Sequence, residues 1–199
     1  MKQPRDTIEH MFASTEPCEM MAMEPDEEKL AELVLYVARE IEGDPTGGAT
    51  KINKILYNAE FSHVRAYGVP ITGTPYQKLA NGPAPRRLVP IRDRLIQEGS
   101  AELRKDDYFG YPLDRLVPLR DVRTVMFTES ERRITDQVIE ALWGKTASEV
   151  SRISHEEPGW KMVEEGEDIP YSSAFLAKRV VLTDEIREHA LELAQKLNN

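Results

Sequence analysis

Apolar side chains recur at helical spacing from residue 26 onward. Leu30, Leu33, Val34, Val37 and Ile41 step by three and four, which predicts a helix from an Asp26 N-cap to about Glu42 with one face buried. The run Gly43-Asp-Pro-Thr-Gly-Gly48 breaks it, and Thr50 can cap the next helix. That second helix, about Lys51 to Tyr67, lines up Ile52, Ile55, Leu56, Ala59 and His63, with Tyr57, Phe61 and Val64 widening the stripe. Apolar positions then cover most of its circumference, the mark of a central helix. Gly68 ends it.

Pro70 to Tyr76 and Lys78 to Leu79 read as short extended pieces joined by turns. Pro85 opens a third helix, about Arg86 to Gln97, which buries Leu88, Ile91, Leu95 and Ile96 and stops at Gly99. Residues Ala101 to Arg104 and Arg115 to Leu119 alternate as a small antiparallel pair, so this helix and ribbon follow the order of a winged helix. Thr128 with Glu131 forms a capping box that opens a helix to about Trp143. Thr146 with Glu149 opens another, which ends near Glu157 because Pro158 disfavours helical geometry in the residue before it. An acidic loop spans 164 to 172, and Ile186, Ala190, Leu193, Ala194 and Leu197 mark an amphipathic helix over about 183–197. The expected fold is mostly α, of the α+β kind. It is a single helical domain over 26–199, with about six helices and a small β-ribbon, after a flexible arm over 1–25.

Composition narrows the class. With 40% hydrophobic and 31% charged residues the chain should be globular and soluble. No apolar run approaches the roughly 18 residues of a membrane span, and no signal-peptide core is visible, so a cytoplasmic protein without a membrane partner is expected. The single cysteine, Cys18, fits a reducing compartment. The net charge of −9 opposes nonspecific contact with nucleic acid.

Searches for chemistry fail one after another. The Gly43–Gly48 loop lacks the Gly-Lys-Ser/Thr end of a phosphate loop. His155-Glu156-Glu157 resembles a zinc-protease helix, but position 159 is Gly where the second histidine belongs. Glu60 and His63, at i and i+3, read as an ion pair that orients the central helix. Ser62 and Ser154 each adjoin a histidine in sequence, and such neighbours do not face each other on a helix. Thr146 to His155 could be the first helix of a helix-turn-helix, yet Glu-Glu-Pro-Gly-Trp follows where a recognition helix needs basic or amide side chains. The expectation is a binding protein, not an enzyme, with no metal, no cofactor and no nucleic-acid partner.

One resemblance goes further. Lys54 to Tyr57 with His63 downstream, Gly68, Pro70-Ile-Thr-Gly73, Tyr76, Gly82-Pro83 with Pro85, Ser154-His155, Pro158, Trp160 and Ile169-Pro-Tyr171 follow one another in the order of the Panacea domain of SocA-like antitoxins. Over about 27–171 the chain resembles that family, with Glu60 standing where Asp is expected. The resemblance implies an antitoxin that neutralises a cognate toxin, encoded by the adjacent gene, through direct contact. Two alternatives are an adaptor that delivers the toxin to a cytosolic protease and a DNA-binding repressor. It implies structural roles for Tyr57, Glu60, His63, Gly73, Pro83, His155, Pro158 and Trp160. Tyr57 and Trp160 should lie in the core, and His155 should hydrogen-bond the start of the Pro158 turn. Exposed turns around Thr72, Thr74, Asn81 and Arg86 are expected to touch the toxin.

Overall fold

The computed structural model describes residues 24–176; the amphipathic segment over 183–197 and nearly all of the N-terminal arm lie outside them. Helices α1 (Glu27–Glu40) and α2 (Ala49–Tyr67) come first, then the two-residue strands β1 (Tyr76–Gln77) and β2 (Ala84–Pro85) and helix α3 (Leu88–Gln97). A hairpin of β3 (Ala101–Tyr108) and β4 (Tyr111–Pro118) follows. Helices α4 (Glu129–Leu142), α5 (Ala147–His155) and α6 (Pro158–Lys161) precede β5 (Asp168–Ile169) and a 3-10 turn at Tyr171–Phe175.

The fold is mixed α and β, mostly helical, as the hydrophobic pattern predicts. Asp26 caps α1 by accepting from the Lys29 N–H at 2.8 Å. Both capping boxes form, Thr128 with Glu131 and Thr146 with Glu149. The second helix departs from expectation. It starts at Ala49 with Gly48 as N-cap and no side-chain cap, so Thr50 lies inside the helix.

Helix α1 also buries more than one face. Leu30, Ala31, Leu33, Val34, Leu35, Val37 and Ala38 are all in the core, because α2, α3, α4 and β4 surround it. Helix α2 lies beside it, packed against α4, α5 and β2. Strand β1 sits between β2 and β5, antiparallel to both, with Tyr76 facing Pro85 and Ile169. This three-stranded patch staples the segment after α2 to the chain after α6.

Candidate functional site

The motif residues meet where α2 faces the segment 70–85 and the α5–α6 corner. Helix α2 supplies Lys54, Tyr57 and Glu60 from successive turns, all buried. Tyr57 lies 4.2 Å from Phe61 and 5.6 Å from Tyr76 between ring centres, and Phe61 lies 4.9 Å from Tyr171. The aromatic cluster therefore joins α2, β1 and the final 3-10 turn.

Glu60 pins the chain that leaves α2. Its carboxylate accepts the Ile71 N–H at 2.6 Å, the Thr72 N–H at 3.0 Å and the Thr72 hydroxyl. Burial pushes the carboxyl up to about 7, although these donors pull the other way. Thr72 and Thr74 are consequently interior, at 0% and 2% exposure, and the expectation that they form an exposed recognition turn is wrong. Their hydroxyl-bearing sequence resembles a surface turn, but a buried carboxylate needs donors and takes them there. Thr74 C=O accepts from the Tyr171 hydroxyl at 2.7 Å, which seals the same segment from the other side. Gly73, between them, adopts a φ of 70°.

The expected Glu60–His63 ion pair does not form. His63 is buried and contacts Val69 C=O through Nδ1 at 2.7 Å and the Ser130 hydroxyl through Nε2 at 3.3 Å. Each side chain of the pair fixes a different stretch of chain.

A second knot surrounds Lys54. Its Nζ donates to Pro83 C=O at 3.2 Å, and burial lowers the ammonium to about 8. Gly82, at φ 99°, lies over it, and a Cβ there would collide with Lys54 Nζ and Ser154 Oγ. Ser154 is fully buried, and its hydroxyl donates to Ser151 C=O at 2.8 Å. The Gly82–Pro83 turn thus sits between α2 and α5, against Lys54 of one and Ser154 of the other.

Trp160 sits at the rim of this knot. It is half-buried against the core instead of enclosed by it. Its indole N–H donates to Leu79 C=O at 3.3 Å, His155 stacks on it at 4.2 Å, and the Lys78 ammonium lies 4.3 Å from its ring centre. His155 is held by this stacking, and its Nε2 has no hydrogen-bond partner among the described residues. Pro158 takes the first position of α6, where its missing N–H costs nothing.

Asn81 is exposed, and its C=O accepts from the Ser151 hydroxyl at 3.2 Å. Arg86 is exposed but engaged: it donates to Asp168 at 2.5 Å, Gly166 C=O at 2.6 Å and Gln77 at 3.0 Å. It closes the acidic loop, which β5 and the 3-10 turn extend into ordered structure.

Sequence reasoning missed two buried polar clusters. In one, Lys51 Nζ donates to Asp44 at 2.5 Å, while the Arg115 guanidinium donates to the carbonyls of Ile41, Asp44 and Gly47 at 3.0 to 3.2 Å. The glycine-rich loop is a cradle for that arginine and not for a phosphate. In the other, Glu32 accepts from Arg120 at 2.5 Å and from Arg123 Nε at 2.8 Å. Burial works against its charge, but these donors win and hold the carboxyl down at about 2. The one signal was an acidic residue amid the apolar run of α1.

The site is therefore an interior junction with an exposed rim. Among the described residues no His, Cys, Asp and Glu cluster could hold a metal ion, and no helix is long and apolar enough to cross a membrane. The model of the family described as antitoxin SocA-like, Panacea domain, matches residues 52–161, more than half of the chain, and the chain belongs to that family. Neither curated proteins nor solved structures return a match.

Proposed function

We propose that the protein is an antitoxin that sequesters a cognate toxin, the product of the adjacent gene, by direct contact in the cytoplasm and without catalysis. The family match over 52–161 carries this reading. The proposed contact is the turn Leu79–Asn81 with Trp160 and Met162 beside it. Leu79 and Met162 are 38% and 58% exposed, an apolar centre next to the acidic Glu164, Glu165 and Glu167. Such a surface suits a basic partner, because opposite charge speeds encounter and apolar contact holds the complex. Of the four turn positions, Asn81 lies at this surface, and Thr72 and Thr74 act behind it by holding the segment in place.

Co-expression with the neighbouring gene product tests the reading. The expected result is rescue of growth and copurification of a stable complex. Rescue without a physical complex overturns sequestration. A fall in toxin level only when a cytosolic protease is present supports the adaptor role instead, and sequence-specific DNA binding at physiological salt supports the repressor.

A further inference from the structure

The β3–β4 hairpin has two outer edges, and only one of them is protected. Leu119 N–H bonds Ser100 C=O at 2.9 Å, and the register pairs Ala101 with Pro118 and Tyr108 with Tyr111. In an antiparallel ladder hydrogen-bonded and non-hydrogen-bonded pairs alternate. The N–H and C=O groups of Ala101, Leu103, Lys105 and Asp107 on β3 therefore point away from β4, as do those of positions 112, 114, 116 and 118 on β4. Positions 112 and 118 are prolines, which block addition of a strand to the β4 edge. Strand β3 carries no proline, and among the described residues no third strand joins the sheet.

We propose that the β3 edge pairs with the same edge of a second copy of this chain, antiparallel, about a two-fold axis through Leu103. The charge pattern selects this register. With the axis at Leu103, Glu102 faces the partner's Arg104 and Arg104 faces the partner's Glu102, so two attractive pairs form. Moving the axis to Arg104 sets arginine against arginine and Glu102 against the partner's Asp106; moving it to Glu102 sets glutamate against glutamate. Both alternatives place like charges opposite each other, which destabilises a sheet. The outward backbone groups also match at the axis, where Leu103 faces its own counterpart in a hydrogen-bonding position.

Exposure agrees with the register at its centre, and Ala101, 2% exposed, marks where the pairing stops. Glu102, Arg104 and Lys105 are exposed, and Leu103 is 40% exposed beside Val89 of α3, itself 55% exposed. These two apolar side chains line a groove with Leu88 and Arg92. Self-pairing would cover it symmetrically, as a two-fold interface requires.

Sedimentation equilibrium on the full chain tests the proposal and does not depend on the antitoxin reading. The wild type is expected to form a dimer that dissociates on dilution. Glu102→Arg or Arg104→Glu alone should weaken it about tenfold or more, because each change turns both attractive pairs repulsive. The double swap should restore it. Lys105→Pro places a proline in the same outward-facing class as Pro112 and Pro118. It should give a monomer whose melting curve stays close to that of the wild type. A wild type that is monomeric at every concentration overturns the proposal. So does a dimer that survives Lys105→Pro and both single reversals, or a double swap that fails to recover association.

Discussion

Glu60 is the residue on which the interior turns. A carboxylate with no exposed surface is unusual, and here its cost is offset by three donors from one short segment. Because burial raises the folded carboxyl to about 7 from an ordinary 4.5, the folded state binds the proton more tightly than the unfolded chain. Stability from this residue is therefore fully present below about pH 4.5, declines as pH rises toward 7, and is flat beyond. The difference amounts to about 3 kcal/mol. Glu60→Gln should flatten the pH dependence of the urea midpoint across this window. It should also lower stability by about 1 to 3 kcal/mol, since an amide N–H₂ then faces backbone donors. If wild type and variant show parallel curves from pH 4.5 to 7, the carboxyl does not titrate there.

At the scale of elements, the contrast between what the chain declares and what it hides follows from range. The capping boxes, the end of α5 before Pro158 and the stop at Gly68 are local, and all were legible in order. The helix and ribbon after Pro85 were legible too, although β3 and β4 run the full length of the hairpin where only their inner parts alternate. Thr72 was misread because its partner, Glu60, lies across a turn, and Thr74 because it is sealed in by Thr72 and the distant Tyr171; hydropathy cannot reveal which hydroxyls a buried acid will recruit. Arg115 and Glu32 were missed for the same reason, each being satisfied by groups about 70 to 90 residues away in the chain. Gly82 shows how a local residue can report a distant contact. Its φ of 99° and the absence of room for a Cβ make Gly82→Ala strained twice over, by backbone and by collision with Lys54 and Ser154. We expect a loss of about 2 to 4 kcal/mol in denaturant unfolding. A loss below 1 kcal/mol would mean that α5 can move off α2 freely.

For the whole molecule, the junction separates support from display, and this makes function testable apart from folding. Tyr57, Glu60, Lys54 and Ser154 are enclosed, so changes there should abolish neutralisation by unfolding the domain. Trp160 stands between the two classes. Half-buried, stacked on His155 and bonded to Leu79, it should contribute about 2 kcal/mol to stability, and Trp160→Ala should lower both the melting temperature and toxin affinity. Asn81→Arg, Met162→Arg and a Glu164→Lys, Glu165→Lys pair differ, because all lie on exposed positions. They should leave melting within a few degrees while weakening the toxin complex by about 1 kcal/mol or more each. The glutamate pair should act mainly on the association rate, and its effect should shrink as salt is raised, since steering between opposite charges is screened over about 10 Å at 0.1 M. Measuring melting temperature, affinity and salt-dependent association on one panel separates these contributions. Full affinity in all three surface variants would move the toxin contact away from the Leu79–Asn81 turn, even with the antitoxin role intact.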